Sequence, residues 1–251
     1  MQTKESSGNM RATGRVSRPT QNMYAASQEQ WNPYVGCNFD CAYCMTSFQA
    51  QLKRQKHRCL RCYRFEPHEH ADRLDAPLPR TQFSEFVFTC SNGDVAFCRT
   101  PYLRKIAARM KATPATTFLL QSKNPKTFGR VEWPGNVVLG TTIETNRDEL
   151  CRAISKAPPP SSRIRDLAAI DHRSKMLTLE PVMRFDLKVL LGWVERIQPA
   201  VVWLGFDSRR TDLPEPTRDE VRELAWQIGL LGIAVRLKTI REGREGRKVR
   251  R

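Results

Sequence analysis

The sequence predicts an α/β fold in which parallel strands alternate with helices, either as a barrel or as an open parallel sheet. Three observations lead there. Short apolar runs rich in β-branched and aromatic residues recur along the chain, bounded by Gly, Pro or polar residues, as strands buried on both faces are. The segments between them carry apolar residues at helical spacing, and that alternation marks βαβ units. Polar residues also gather just after the apolar runs, on the face where barrels and α/β sheets place their chemistry.

Taken in order, residues 1–24 are polar, basic and aperiodic, which predicts a mobile tail. The main domain is expected over 25–240. Trp31–Val35 is the expected first strand, followed by a cysteine-bearing loop and a metal-binding insertion over 45–75. Further strands are expected at Phe86–Cys90, Thr116–Leu120, Val137–Ile143, Met176–Leu179, Val201–Phe206 and Ile233–Leu237. Helices are expected where Leu103, Ile106, Ala107 and Met110 share one face, where Leu187, Leu190, Leu191 and Val194 do, and where Val221, Leu224, Ala225 and Ile228 do. The Pro158–Pro160 run reads as a loop between two units. Residues 241–251 form an expected basic arm.

The chain has 251 residues and 40% hydrophobic content, enough for a single well-buried core, so disorder as the whole answer is excluded. Its 42 Lys plus Arg against 26 Asp plus Glu give a net charge of +16, which suggests a polyanionic partner. No apolar run approaches the length of a membrane-spanning helix, so no membrane partner is expected. The N-terminal residues lack the apolar stretch of a secretory signal, and the expected location is cytoplasmic.

Eight cysteines in such a chain argue for metal or redox chemistry rather than a disulfide framework. Cys90, Cys98 and Cys151 stand alone and read as small buried side chains. Cys37, Cys41 and Cys44 form C-x3-C-x2-C, a spacing that composition alone produces about once in a hundred such sequences. Three thiolates can hold three irons of a cubane cluster and leave the fourth open to a small molecule.

The segment Cys37-Asn-Phe-Asp-Cys41-Ala-Tyr43-Cys44 resembles the hallmark of the radical S-adenosylmethionine superfamily, including the aromatic at Tyr43. That resemblance implies a partial (β/α)6-type TIM barrel and a 4Fe-4S cluster on the three cysteines. It further implies S-adenosylmethionine on the open iron, a 5′-deoxyadenosyl radical that abstracts hydrogen, and an electron donor such as a flavodoxin or ferredoxin. By the same resemblance, Asn92-Gly93-Asp94 stands where the cofactor's amino group is held, although the superfamily has Gly-Gly-Glu there. Thr142, Glu144 and Glu180 stand where its ribose is held. Trp31-Asn-Pro33, the segment Phe65–Leu74 and the turn Thr89–Asp94 are similar to a phage-associated radical-SAM-like family.

Cys59, Cys62, His68 and His70 make a second, Cys2His2 set suited to zinc, with reduced surface thiols as the alternative. Roughly half of the cations lie in three acid-poor stretches, Met45–Phe65, Arg99–Arg130 and the segment from Arg236. Arg54, Lys56, Arg104, Lys105, Lys123 and Lys126 are the candidate contacts to nucleic acid, DNA before RNA. The expected function is therefore radical modification or rearrangement of a nucleobase, in phage DNA first, for instance isomerisation of an amino-acid adduct on thymidine. Alternatives are a tRNA-modifying or pyrimidine-lesion-repair radical enzyme, or a non-catalytic zinc-containing nucleic-acid-binding module.

Overall fold

The computed structural model describes residues 24, 26–44, 55–208, 211–238 and 240. Strand β1 (Ser27–Trp31) leads into the two-residue β2 (Tyr34–Val35), which pairs antiparallel with β3 (His68–Glu69) as a small flap. The next strands are β4 (Phe86–Thr89), β5 (Phe118–Gln121) and β6 (Val137–Thr142), followed by β7 (Lys175–Leu179), β8 (Val201–Leu204) and β9 (Ala234–Leu237). Seven of the nine form one parallel sheet in the order β1-β4-β5-β6-β7-β8-β9, curled into an open half-barrel with β1 and β9 as its edges. The expected parallel α/β half-barrel is the observed one. Parallel pairing requires a crossover connection between successive strands of the sheet.

The first strand lies earlier than the sequence predicts. Trp31 ends β1 rather than opening it, and Tyr34–Val35 belong to the flap. The reason is that SQEQW at an edge needs only main-chain pairing to β4, so it carries no apolar run. The expected tail is also shorter: Tyr24 is fully buried, and residues 1–23 and 241–251 lie outside the described residues, as do residues 45–54 with Arg54.

The sheet has two apolar faces. Val87, Leu120, Leu139, Leu177 and Leu204 point outward into the main core under the helices. Phe86, Phe88, Leu119, Met176 and Trp203 point inward and close around Tyr24, whose ring meets Phe86, Phe88 and Trp203 edge-on at 4.9–5.8 Å. The Tyr24 hydroxyl bonds Gln121 Oε1 at 2.8 Å and Thr178 Oγ1 at 2.9 Å, so this plug stays satisfied in the interior.

Among the described residues the α-helices in chain order are α1 (Leu60–Tyr63), α2 (Thr100–Lys111), α3 (Asp148–Arg152), α4 (Pro160–Ala168), α5 (Leu187–Ile197) and α6 (Arg218–Leu230). The apolar spacings read from sequence are their buried faces: Leu103, Ile106, Ala107 and Met110 in α2, Leu190 and Val194 in α5, and Val221, Leu224 and Ile228 in α6. Helix α6 starts with a capping box between Thr217 and Glu220, which satisfies two orphan N–H groups. The proline run does not lie wholly in a loop, because Pro160 opens α4, where its missing N–H costs nothing. Among the described residues no helix is long and apolar enough to cross a membrane.

Candidate functional site

A cavity of about 380 Å³ opens at the carboxyl end of the sheet. Every strand of the sheet supplies a wall: Gln30 from β1, Cys90–Asp94 after β4, Gln121–Lys123 at the end of β5, and Thr142 from β6. Glu180 follows β7, Asp207 follows β8 and Lys238 follows β9. Parallel strands all end on this side, so the fold itself brings these distant residues together.

Cys37, Cys41 and Cys44 line the same cavity, and none of the three is in a disulfide. The loop that carries them packs Phe39 and Cys41 against Ala157, with Ala96 and Phe97 alongside. Burial pushes the Cys37 thiol up, and the Phe39 N–H donates to its sulfur at 3.4 Å. Cys41 Sγ lies 3.0 Å from Ser155 Oγ and accepts from Lys123 Nζ at 3.1 Å.

Backbone contact ties the cysteine loop to the turn after β4. Gly36 N donates to Asn92 O at 3.0 Å, and Asp94 N donates to Gly36 O at 3.1 Å. A Cβ on Gly93 would stand 2.7 Å from Gly36 N, and one on Gly36 would stand 2.2 Å from Glu66 O, with φ at +95°. Neither position admits a side chain. Asn92, Gly93 and Asp94 therefore line the cavity. The Asp94 carboxylate, however, is spent locally, accepting from Ala96 N at 2.9 Å, Ser122 Oγ at 2.6 Å and Lys123 N at 2.9 Å. Burial raises its pKa, against the pull of those bonds.

Thr142 and Glu180 line the cavity, and Glu144 does not. Glu144 is fully buried behind it. Its Oε1 accepts from Lys123 Nζ at 2.8 Å and from the Tyr43 hydroxyl, and its Oε2 accepts from Arg163 Nη1 at 2.7 Å and from Cys151 Sγ at 3.5 Å. Burial alone would raise this carboxyl, but the Arg163 and Lys123 charges outweigh it and hold Glu144 well below the usual carboxylate range. A ribose-binding role for Glu144 is thus replaced by an anchoring one. Lys123 is likewise not a surface phosphate contact: its side chain is largely buried, bonds Tyr43, Glu144 and Cys41, and lies 4.4 Å over the Tyr43 ring. Arg163, which sequence reasoning missed, shares the buried face of α4 with Pro160, Ile164 and Leu167. A cation inside an apolar helical stripe was the available signal.

On the cavity's other side Lys238 Nζ donates to Glu180 Oε2 at 2.9 Å. Burial raises the Glu180 pKa, and Lys238 opposes the rise. Gln121 is held by Tyr24 and by its own bond to Thr178 Oγ1 at 2.8 Å. Gln121, Lys238 and Tyr24 carry no motif and became visible only through the curl of the sheet.

Cys90 lines the cavity, and Cys98 and Cys151 are buried away from it. The Cys59, Cys62, His68 and His70 ligand atoms lie within 4.8 Å of one another, so this quartet could hold a metal ion. Burial lowers the pKa of both histidines, which favours the neutral, ligating form.

Of the acid-free stretch Arg99–Arg130, Arg99 pairs with Glu69 at 3.0 and 3.1 Å, and Arg109 and Arg130 donate to backbone carbonyls. Arg104, Lys105, Lys111 and Lys126 remain exposed, as does Lys56. Tyr102 is buried and Phe97 packs against the core, so core packing claims both aromatics.

Two solved structures of Streptococcus suis SuiB share this architecture. The form bound to S-adenosylmethionine matches with TM-score 0.50 at 7% identity, covering 85% of this chain and 50% of that one. A second crystal structure of SuiB matches with TM-score 0.50 at 9% identity, covering 87% of this chain and 49% of that one. The chain thus spans about half the length of these structures, and at such identities the likeness is one of fold. No curated protein sequence matches. The profile of one sequence family matches residues 23–203, from the barrel plug to β8, and the chain belongs to that family, described as "Protein of unknown function (DUF5131)".

Proposed function

We propose that the chain is a radical S-adenosylmethionine enzyme that acts on a nucleobase in nucleic acid, DNA before RNA. One observation carries the reading: three cysteines at C-x3-C-x2-C spacing, none in a disulfide, line a cavity walled by the carboxyl ends of all seven parallel strands. Soft thiolate donors on a half-enclosed loop fit an iron–sulfur cluster with one open iron, and the cavity beside them leaves room for a ligand there. That SuiB, of the same fold, was solved bound to S-adenosylmethionine supports the cofactor reading. When bound, the cluster and S-adenosylmethionine supply hydrogen abstraction by a 5′-deoxyadenosyl radical, driven by an electron from a flavodoxin or ferredoxin.

The chain's own residues bind and orient. Cys37, Cys41 and Cys44 would hold the cluster. The Asn92–Asp94 turn, pressed on Gly36, would offer main chain to the cofactor's amino group, while the Asp94 carboxylate keeps the turn in shape. Thr142 and Glu180 line the cavity and would hold the ribose, and Glu144 fixes Tyr43 and Lys123 from behind. A base in a duplex must be extruded to reach this cavity. The net charge of +16 supports a nucleic-acid substrate, and the family-like segments around Trp31 and Phe65 favour phage DNA, with isomerisation of an amino-acid adduct on thymidine as one reaction.

The Cys2His2 quartet favours a second reading, a zinc-bearing nucleic-acid-binding module without catalysis. Anaerobic reconstitution separates the two. An iron–sulfur chromophore and dithionite-dependent release of 5′-deoxyadenosine, both lost in Cys41→Ala, are expected. A protein that binds DNA yet forms no cluster overturns the enzyme reading. Incubating the reduced enzyme with hypermodified phage DNA, plain DNA, lesion-bearing DNA and tRNA, followed by nucleoside mass spectrometry, assigns the substrate. No change in any of the four overturns the nucleic-acid assignment.

A further inference from the structure

We infer that Cys59, Cys62, His68 and His70 bind a single zinc ion, and that this zinc clamps the peptide that delivers Cys37. The quartet is built like a closed tetrahedral site. Cys59 Sγ and Cys62 Sγ each lie 3.4 Å from His68 Nε2, and Cys62 Sγ lies 3.0 Å from His70 Nε2. Metal–sulfur bonds of about 2.3 Å and metal–nitrogen bonds of about 2.0–2.1 Å give a tetrahedral edge of about 3.6 Å, close to these separations. A two-iron cluster with the same ligand types would place the sulfur pair and the nitrogen pair on different irons, farther apart.

The supporting groups are in place as well. His68 Nδ1 lies 2.7 Å from the Glu66 carbonyl and donates to it, which turns Nε2 toward the sulfurs. His70 Nδ1 lies 3.5 Å from Asp72 Oδ1, a carboxylate behind a ligating imidazole. Cys62 N–H donates to Cys59 Sγ at 3.4 Å as α1 begins, so helix capping and ligation share one sulfur. His68 lies on β3 and His70 directly follows the strand, and the two imidazoles sit side by side with ring centroids 4.5 Å apart. Two thiolates and two neutral imidazoles exactly balance a divalent cation, so the largely buried site carries no net charge.

The same segment grips the cysteine loop. Val35 pairs with His68, and His70 N donates to Pro33 O at 2.7 Å. Cys37 N donates to Phe65 O at 3.3 Å, and Gly36 presses directly on the Glu66–Pro67 backbone. Four metal bonds would hold residues 59–70 as one unit against residues 33–37. The zinc site stands on its own geometry; only its value for an iron–sulfur cluster rests on the proposed function.

The test is metal analysis of the full chain by plasma mass spectrometry. About one zinc per chain is expected in the wild type and in Cys44→Ala, and a loss of zinc in Cys62→Ala and His70→Ala. Where those variants fail to fold, cobalt exchange into the wild type reads the same site, with the intense visible bands of tetrahedral cobalt bound by two thiolates expected. Background zinc in the wild type, full zinc in folded Cys62→Ala, or octahedral cobalt spectra would each overturn the site. Zinc chelation should also speed amide exchange at Gly36 and Cys37, and unchanged exchange there overturns the clamp. Zinc present without reconstitutable iron would sink the radical reading and leave this one intact.

Discussion

Glu144 is a carboxylate held by two cations and a phenol, with no water-exposed surface. Replacing it with Gln leaves Lys123 and Arg163 buried without a counter-charge, which should cost about 3–5 kcal/mol. Urea unfolding followed by circular dichroism checks this, and a change under about 1 kcal/mol would contradict the anchoring role. The pH dependence has a definite sign. Because the folded pKa is depressed, the contribution of Glu144 is complete above the free carboxylate value of about 4.3 and disappears as pH falls toward the folded value. Asp94 and Glu180 work in the opposite sense, since burial raises both and their contribution declines as pH rises past that same value. Stability measured between about pH 7 and pH 3 should therefore fall more steeply in the wild type than in Glu144→Gln.

Between elements, the decisive contact is backbone on backbone. The turn after β4 meets the start of the cysteine loop through Gly36 and Gly93, in two segments so close that a side chain at either glycine would force both to move. Gly93→Ala should destabilise the fold by about 1–3 kcal/mol. It should also reduce the iron bound after reconstitution, since Cys37 follows Gly36 directly. Gly192→Ala is the contrasting substitution. Its Cβ would meet nothing within 4 Å on an exposed face of α5, so a gain of about 0.5–1 kcal/mol is expected from helix propensity. Denaturant midpoints for the pair check both, and equal effects would argue against the tight approach.

At the scale of the molecule, charge is divided between structure and surface. Lys123 and Arg163 are tied up in the interior, Arg99, Arg109 and Arg130 bond protein groups from exposed or partly exposed positions, and Arg104, Lys105 and Lys126 are exposed. If the exposed set contacts phosphate, Lys105→Ala and Lys126→Ala should each lower the salt slope of duplex DNA binding by about 0.9. Fluorescence anisotropy across a salt series measures this. Slopes unchanged in both variants would move the nucleic-acid surface elsewhere on the chain.

The parallel α/β class, the helical faces and the two cysteine groups were legible in the residues alone, because period, spacing and ligand chemistry are local properties. FVFT, FLLQ and VVLGTT are short β-branched and aromatic runs that read as buried strands, and the C-x3-C-x2-C spacing is a soft-donor triad wherever its loop lies. The polar edge strand SQEQW was not legible, since main-chain pairing to β4 holds it without an apolar pattern. Nor was the division of labour among the polar residues. In sequence Lys123 reads as a contact to nucleic acid and Glu144 as a ribose ligand, and only the curl of the sheet, which brings residues 41, 123, 144 and 163 together, shows them in a buried ion network. Spacing along the chain determines what a residue can do; desolvation and neighbouring charge, which arise only on folding, decided what each of these residues does.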